Sequence, residues 1–461
     1  MKDETKTPKI KESKFYGELC KADIVVPKAF KPKDEYTNGY VDGLLEELGF
    51  RLKEMRKTSR DKHHYIISDF LIGCRWAQTK NGLISWVGRS EFYSGGAYGA
   101  DTMRKVKDAL ESKGLIWMVQ KSSRFDKLAR VYSYDSELAP DWLEFTHHGL
   151  GECVEVRSAK DTWDTGKTET GGKRIPRKKF LGQIEPLEAQ MKTINNCLLK
   201  NPLQFWDGRE FAWSRRIFNN GRLDHGGRIY GPWQTAPEEE RLASTINGFD
   251  VCEIDLKASY PSIINAALDY GYDLGPDPYS TIRFIQSNKE LRKLAKDLVS
   301  AHICSKSGLS RFPKGIRKKH SLKRTDKLSD YMNDIFDALP FLRGVHSRGI
   351  NWMYIESELI VATLESLALK GIPAYPVHDS IICKKKDQDI AVTTLREKMI
   401  ESFGEYIHLD VSYYNEDNNI IQEVLENPTP PKTSTSPRFK FSKYDWGVED
   451  EDLLEDIDLI E

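Results

Sequence analysis

Apolar positions recur along this chain in blocks, and each block predicts an element. Between Tyr40 and Met55 they return every third or fourth residue, the period of an amphipathic helix. Tyr65–Trp76 is a second apolar segment, and a third surrounds Ser90–Tyr93. The helical period returns over Thr102–Lys113, where Asp101 is placed to cap the helix, Val106, Ala109 and Leu110 to form its buried face, and Gly114 to end it. Leu115–Gln120 and Arg130–Tyr134 then read as strands joined by a charged turn, 121–127. Over 138–180 the apolar period is lost, and Thr162–Lys179, rich in Thr, Gly, Lys and Arg, reads as linker. Regularity resumes at 181. The elements expected there are a helix at Glu185–Leu199, an apolar and basic segment at Glu210–Phe218, a strand at Phe249–Leu256 and a helix at Ser262–Leu268 opened by Pro261. Helix Glu356–Leu369, stopped by Lys370 and Gly371, precedes strands Ile372–Val377 and Ser380–Lys384. Pro428–Pro437 is a stiff spacer, and acids alternate with Leu and Ile over 445–461.

The blocks predict an α+β protein in five parts: a flexible basic N-terminus (1–38), a small domain (39–137), a linker (138–180), a large domain (181–427) and a spacer with a disordered acidic tail (428–461). Apolar residues make up 39% and charged residues 30%, which implies a large solvated surface. No run of eighteen apolar residues occurs, so no membrane span is expected. The first residues lack the apolar core of a signal peptide. The seven cysteines are scattered without C-x-x-C spacing, which argues against a disulfide framework or zinc module and points to a reducing cytoplasm, of a prokaryote or a phage-infected cell.

Net charge changes the picture. The formal value is −1, but Asp445–Glu461 holds nine acids and no Lys or Arg. The rest of the chain sets 69 Lys and Arg against 61 of the 70 acids, a charge of +8. A basic body with an acidic end suggests a nucleic-acid partner for the body. The tail reads equally as a dock for a protein partner, a cover for the chain's own cleft, or a solubilising end.

Two strings carry the candidate chemistry. Val251–Ser262 places Asp255 at the end of an apolar strand, where the backbone carbonyl of Leu256 also faces outward; Tyr375–Cys383 places His378 and Asp379 at the turn between two strands. Carboxylates on neighbouring strands can share a pair of Mg²⁺ ions for in-line phosphoryl transfer. Between them, Leu291–Ser305 puts Arg292 and Lys296 one turn apart on one helix face, a cationic pair suited to a triphosphate. Upstream, Gly226-Gly-Arg-Ile-Tyr-Gly231 combines close-approach backbone with a cation and a ring, a mixture that suits nucleic acid. Arg222, Arg228, Tyr230 and Arg241 are its candidate contacts, joined by Lys318 and Lys319 of the basic cluster 314–324.

Pro376-Val-His-Asp-Ser380 resembles motif C of the family A DNA polymerases and the single-subunit phage-type RNA polymerases. Asp255-Leu-Lys-Ala-Ser-Tyr-Pro-Ser262 resembles polymerase motif A, with a flavour of the family B form, and Arg292–Ser305 resembles the fingers motif B. The resemblance covers roughly 220–390. It implies a right-hand palm with helical fingers, two Mg²⁺ (Mn²⁺ in their place) on Asp255, Asp379 and the Leu256 carbonyl, and a triphosphate held by Arg292 and Lys296, with Lys296 able to protonate the leaving pyrophosphate. It also places His378 at the primer end and Tyr260 as a steric gate favouring deoxynucleotides. Cys304 stands where the family has Tyr, and Ser305 where it has Gly. Residues 39–137 resemble a winged helix, with Arg104, Lys105 and Lys107 on its recognition helix and Lys121 and Arg124 on its wing. The expected activity is that of a compact DNA polymerase without proofreading, serving a phage, plasmid or other mobile element. An RNA polymerase or primase on the same palm is the nearest alternative, and a non-enzymatic DNA-binding initiator or regulator the alternative of another class.

Overall fold

The computed structural model describes residues 24–25, 30–78, 82–86, 98–121, 130–147, 152–159, 172–206, 209–305, 308–345, 351–417, 419–429 and 437–439. They form a mixed α+β protein with mainly antiparallel sheets, divided into two compact units. One comprises residues up to Glu152 with a short return at 207–209; the other comprises Cys153–Trp206 and everything from Glu210. Among the described residues no helix is long and apolar enough to cross a membrane.

The first unit begins with β1 (Ile24–Val25), β2 (Phe30–Pro32), α1 (Glu35–Glu47), α2 (Lys57–Gln78) and β3 (Ile84–Ser85). It continues through α3 (Ala100–Ser112), β4 (Ile116–Gln120), β5 (Val131–Tyr134) and β6 (Phe145–His147). Helix α1 lies earlier than expected. The Asp34 carboxylate accepts from the Thr37 amide at 2.7 Å and starts it, and Gly49, at φ 88°, stops it. Asp101 does not cap α3: Gly99 holds the cap position, and Asp101 pairs with Arg104 in the first turn. Strands β3, β5 and β4 form an antiparallel sheet in that order, and β1 joins beside β3. Buried Asp69 ties this unit together, accepting from the Phe30 amide and the Tyr98 hydroxyl, each at 2.7 Å.

The expected linker is not unstructured throughout. Val154–Val156 forms β7, which is fully buried and pairs in parallel with β10 of the second unit. Its three apolar or paired residues are too few to show a period, so only the tertiary pairing reveals it. Residues 160–171, the segment around Ser90–Tyr93, the wing residue Arg124 and the tail from 440 lie outside the described residues.

In the second unit the chain passes through α4 (Ile184–Lys200), β8 (Leu203–Gln204), β9 (Glu210–Phe211), β10 (Arg215–Phe218), β11 (Gly226–Tyr230), α5 (Glu238–Leu242) and β12 (Thr245–Ile246). Strand β13 (Phe249–Leu256), α6 (Ser259–Ala267), α7 (Arg283–Ser287), α8 (Arg292–Ile303), α9 (Ile316–Lys319), α10 (Leu328–Ala338) and α11 (Trp352–Leu369) follow. The last elements are β14 (Ala374–Val377), β15 (Ser380–Lys384), α12 (Gln388–Phe403), β16 (Leu409–Tyr414) and β17 (Ile420–Leu425). Strand β13 lies inside the main sheet, with β15 and then β14 on one side and β16 and then β17 on the other. Its neighbours come from much later in the chain, so residues distant in sequence meet at its end. Cys252 and Cys383 face each other across β13 and β15 as buried free thiols, sulfurs 3.7 Å apart.

Helix α11 is the buried spine of this unit. Asn351 caps it, accepting from the Tyr354 amide at 2.9 Å. Strand β11 lies against it so closely that a Cβ on Gly227, at φ 74°, would fall 2.9 Å from Ser357 Oγ and 3.0 Å from the Phe218 ring. The close approach that Gly227 provides is therefore to this helix, and that of Gly226 is to Asn219 beside its own hairpin. Gly227→Ala is expected to cost about 2–3 kcal/mol of stability, from the strained φ and the clash together. The check is a urea titration, in which the midpoint should fall with the slope unchanged.

Candidate active site

In the antiparallel ladders Asp255 stands opposite Ser380 of β15 and opposite Asp410 of β16. Residues opposite each other share a face, so Asp255 and Asp410 sit side by side, with Glu253 on the same face two residues back. Strands β14 and β15 meet in a two-residue turn of His378 and Asp379. The Leu256 amide donates to the Asp379 carbonyl at 3.3 Å, which sets the turn beside the end of β13. Amide and carbonyl of one strand residue point to the same side, so the Leu256 carbonyl also faces this turn. Two residues here hold left-handed backbone without being glycine: Ala258 at φ 46° and His378 at φ 59°. For alanine that conformation is strained, and the strain lies just past Asp255.

Charge pairing sets Asp255 and Asp379 apart from their neighbours. Glu253 receives both arms of Arg241 at 2.9–3.1 Å and the Ser380 hydroxyl at 2.6 Å. Asp410 pairs with Lys257 and accepts from Gln422 at 2.8 Å. Glu356 pairs with Arg228, and Glu358 with Arg216 and Arg438. Asp255 and Asp379 have no side-chain hydrogen bond or ion pair among the described residues. Burial, and then the charges of Asp379 and Glu253, push the Asp255 carboxyl up to about 8, while Lys296 pulls the other way. Lys296 is exposed but feels both acids. Partial loss of water, and then the Arg292 cation, hold its pKa below the ordinary lysine value.

A site with two uncompensated carboxylates and a facing carbonyl suits a hard divalent cation. Among the described residues no group of three or more His, Cys, Asp and Glu could hold a metal by itself. The donor set of Asp255, Asp379 and the Leu256 carbonyl fits Mg²⁺ bound by one or two carboxylates and completed by substrate phosphate and water.

No protein-family model matches this chain, and no curated protein matches its sequence.

The other expected site residues divide into two groups. Arg228, Tyr260, Cys304 and His378 come together beside Asp379. Arg228 donates to the Tyr260 hydroxyl at 3.3 Å, and its charge is felt by Cys304 and His378. Burial, and then Arg228, hold His378 below its usual pKa, so the ring stays neutral at pH 7. Cys304 is exposed at the C-cap of α8, just over two helical turns beyond Lys296 and more than three beyond Arg292.

Other residues do not stand where their expected roles would put them. Arg241 is held by Glu253 within the fold, with an exposure of 12%, and is not a free backbone contact. Arg228 turns inward to Glu356 instead of outward to nucleic acid. Arg222 is exposed but closed onto Asp224 in its own turn, and Tyr230 is half-buried at the end of β11. On α3, Lys107 is buried and paired with Asp108 and Glu111, so it cannot read a groove; its apolar stem joins the buried face with Val106 and Leu110, while Ala109, expected there, is half-buried. Arg104 pairs with Asp101, while Lys105 and Lys121 remain exposed. Lys318 is exposed, and Lys319, with His320, is pinned at 2.6 Å to Asp297 of α8. Just upstream, a cavity of about 450 Å³ is lined by Arg311, Phe312, Lys314 and Arg317, whose guanidinium lies 4.4 Å from the Phe312 ring.

Sequence reasoning missed Glu356, Asp410 and Asp277. Glu356 sat within an expected amphipathic helix, and nothing local marked it as buried. Asp410 alternates with Leu409 and Val411 as an ordinary strand acid would. Asp277 grips Arg292 with both oxygens at 2.9–3.0 Å, a pairing that no helical spacing announces.

Proposed function

We propose that this chain is a template-directed nucleotidyltransferase, a compact DNA polymerase without proofreading that uses two Mg²⁺ ions. The observation that carries the reading is the pair Asp255 and Asp379. They are adjacent at strand ends and are left without cations in a unit where the surrounding buried acids are matched. The finer architecture proposed is a palm built on β13–β17 with α8 as the fingers helix. The helix order and the β3-β5-β4 sheet of the first unit support a winged helix, whose remaining exposed cations, Lys105 and Lys121, are the DNA contacts proposed.

Bound divalent ions, Mg²⁺ or Mn²⁺, would supply Lewis-acid stabilisation of the entering and leaving oxygens. The chain's own residues do the rest. Asp255 and Asp379 present carboxylate oxygens from two rigid strands. Arg292 and Lys296 set positive charge against the triphosphate, and Lys296, with its lowered pKa, holds a proton at Nζ for the leaving pyrophosphate. Tyr260 packs under the sugar, and neutral His378 offers a ring nitrogen at the primer end. The basic segment 311–324, anchored to α8, favours the template backbone and makes binding salt-dependent. The test is extension of a labelled primer on a DNA template with dNTPs and Mg²⁺. No incorporation of any nucleotide with either metal, alongside DNA binding, would support the non-enzymatic reading instead. Equal use of rNTPs would favour an RNA polymerase or primase, which the bulk of Tyr260 speaks against.

In the structure Arg292 is held by Asp277 and lies 5.6 Å from the Tyr279 ring. A triphosphate must compete with that carboxylate. Asp277→Asn is expected to lower the KM for dNTP about three- to tenfold, with kcat changed less, because it removes a charged competitor for the same guanidinium. An unchanged or raised KM in steady-state primer extension would remove Arg292 from the triphosphate site.

A further inference from the structure

Helix α11 enters the site through one buried side chain. Glu356 is 1% exposed. One carboxylate oxygen accepts from Arg228 Nε at 2.8 Å, and the other from Ser259 Oγ at 2.8 Å. The second arm of the same guanidinium reaches the Tyr260 hydroxyl at 3.3 Å. Ser259 and Tyr260 are the first two residues of α6, so Glu356 holds that helix start directly through the serine and indirectly through the arginine. Asp379 also attracts Arg228 electrostatically. The guanidinium is thus shared between a buried acid that keeps it under the tyrosine and a candidate metal ligand that would draw it away.

We infer that Glu356 is a positioning residue for sugar selection: by holding Arg228 against the Tyr260 hydroxyl it locks the ring in the place a 2′-hydroxyl would occupy. This rests on the polymerase reading and adds to it where selectivity is controlled, on the helix before the Asp379 hairpin and not on the strand that carries Asp255. Loss of the Glu356 charge frees Arg228 to lean toward Asp379. The phenol then loses its donor and the ring can tilt, which opens space for a ribonucleotide. Catalysis on dNTPs needs Asp255 and Asp379 in place, but it does not need the ring held still. Selectivity should therefore fall more than turnover does.

The experiment is single-nucleotide primer extension with dNTP and rNTP, reading kcat and KM for each, in wild type, Glu356→Gln, Tyr260→Phe and the double variant. The wild type is expected to prefer dNTP. Each single variant is expected to lose about tenfold or more of that preference, the scale of one charge-assisted hydrogen bond, mainly through a lower KM for rNTP. The double variant should lose no more than either single one, because both substitutions break the same chain of contacts. A preference unchanged in Glu356→Gln, or losses that multiply in the double variant, overturns the proposal and leaves the polymerase reading standing. If Glu356→Gln does not fold, Tyr260→Phe decides alone: an unchanged preference overturns the link through the hydroxyl. A wild type that uses both sugars equally also overturns it. A wild type that incorporates neither overturns the polymerase reading and the proposal together.

Discussion

Asp379→Ala is expected to lower primer extension by at least about 10³-fold, the scale on which phosphoryl transfer depends on charge stabilisation at the reacting oxygens. The expectation follows from geometry and pairing. Asp379 sits at the tip of a two-residue turn beside the end of β13, and no cation of the described residues closes on it. Its carboxylate makes no hydrogen bond there, so its removal should leave the fold nearly intact. A thermal melt within a few degrees of wild type checks this. Asp255→Ala should show the same loss. Activity near the wild-type level in either variant, with normal folding, would end the two-carboxylate assignment.

The second large effect concerns stability and has the opposite sign. Asp255 is pushed up to about 8, by burial first and by the Asp379 charge next. The unfolded chain has the ordinary value near 3.9. The folded state therefore binds the proton more tightly, and its stabilisation is complete below about pH 4 and is lost as pH rises through about 8. Asp255→Asn carries no charge to bury. It should match wild type near pH 4–5 and exceed it above pH 8 by an amount on the order of a few kcal/mol. Comparing the two proteins at each pH removes the contribution of other titrating groups, Glu356 among them. Mg²⁺ should raise the wild-type melting temperature most above pH 8, where it meets an ionised carboxylate, and should do little for Asp255→Asn. If the variant is less stable than wild type at high pH, or if Mg²⁺ shifts both equally, burial of the Asp255 charge beside Asp379 is not what destabilises the folded protein. A residue whose removal stabilises the protein while activity falls is the usual mark of a site shaped for function.

What could be read along the chain was local and periodic. The strand Phe249–Leu256, the hairpin with His378 and Asp379 in its turn, and the helix bearing Arg292 and Lys296 were all legible, because alternation, a two-residue turn and a helical period are short-range signals. Element ends were legible only where a cap or a glycine stood at the right place. Gly114 did so, whereas Asp34 and Gly49 were overlooked and α1 was expected several residues late.

Charge partners were not legible. Arg228, Arg241 and Lys107 looked like cations available to nucleic acid and Arg292 like one available to a triphosphate, yet each is committed to an acid of the fold: Glu356, Glu253, Glu111 and Asp277 in turn. Cation type and local pattern do not say which face will be buried, and a buried arginine requires a carboxylate that can lie far away in sequence. The same physics hid β7, whose pairing with β10 joins distant segments.

The sequence by itself determined which residue types could carry the chemistry and in what order they come: Asp255, then Arg292 and Lys296, then Asp379. Only the tertiary structure decided that β13 lies between β15 and β16, so that Asp255 meets the Asp379 turn on one side and Asp410 on the other. It also decided which acids are neutralised, and that Asp255 and Asp379 have no side-chain partner among the described residues. Strand order and ion pairing depend on contacts between segments far apart in the chain, and a one-dimensional pattern of apolar and polar positions carries no term for them.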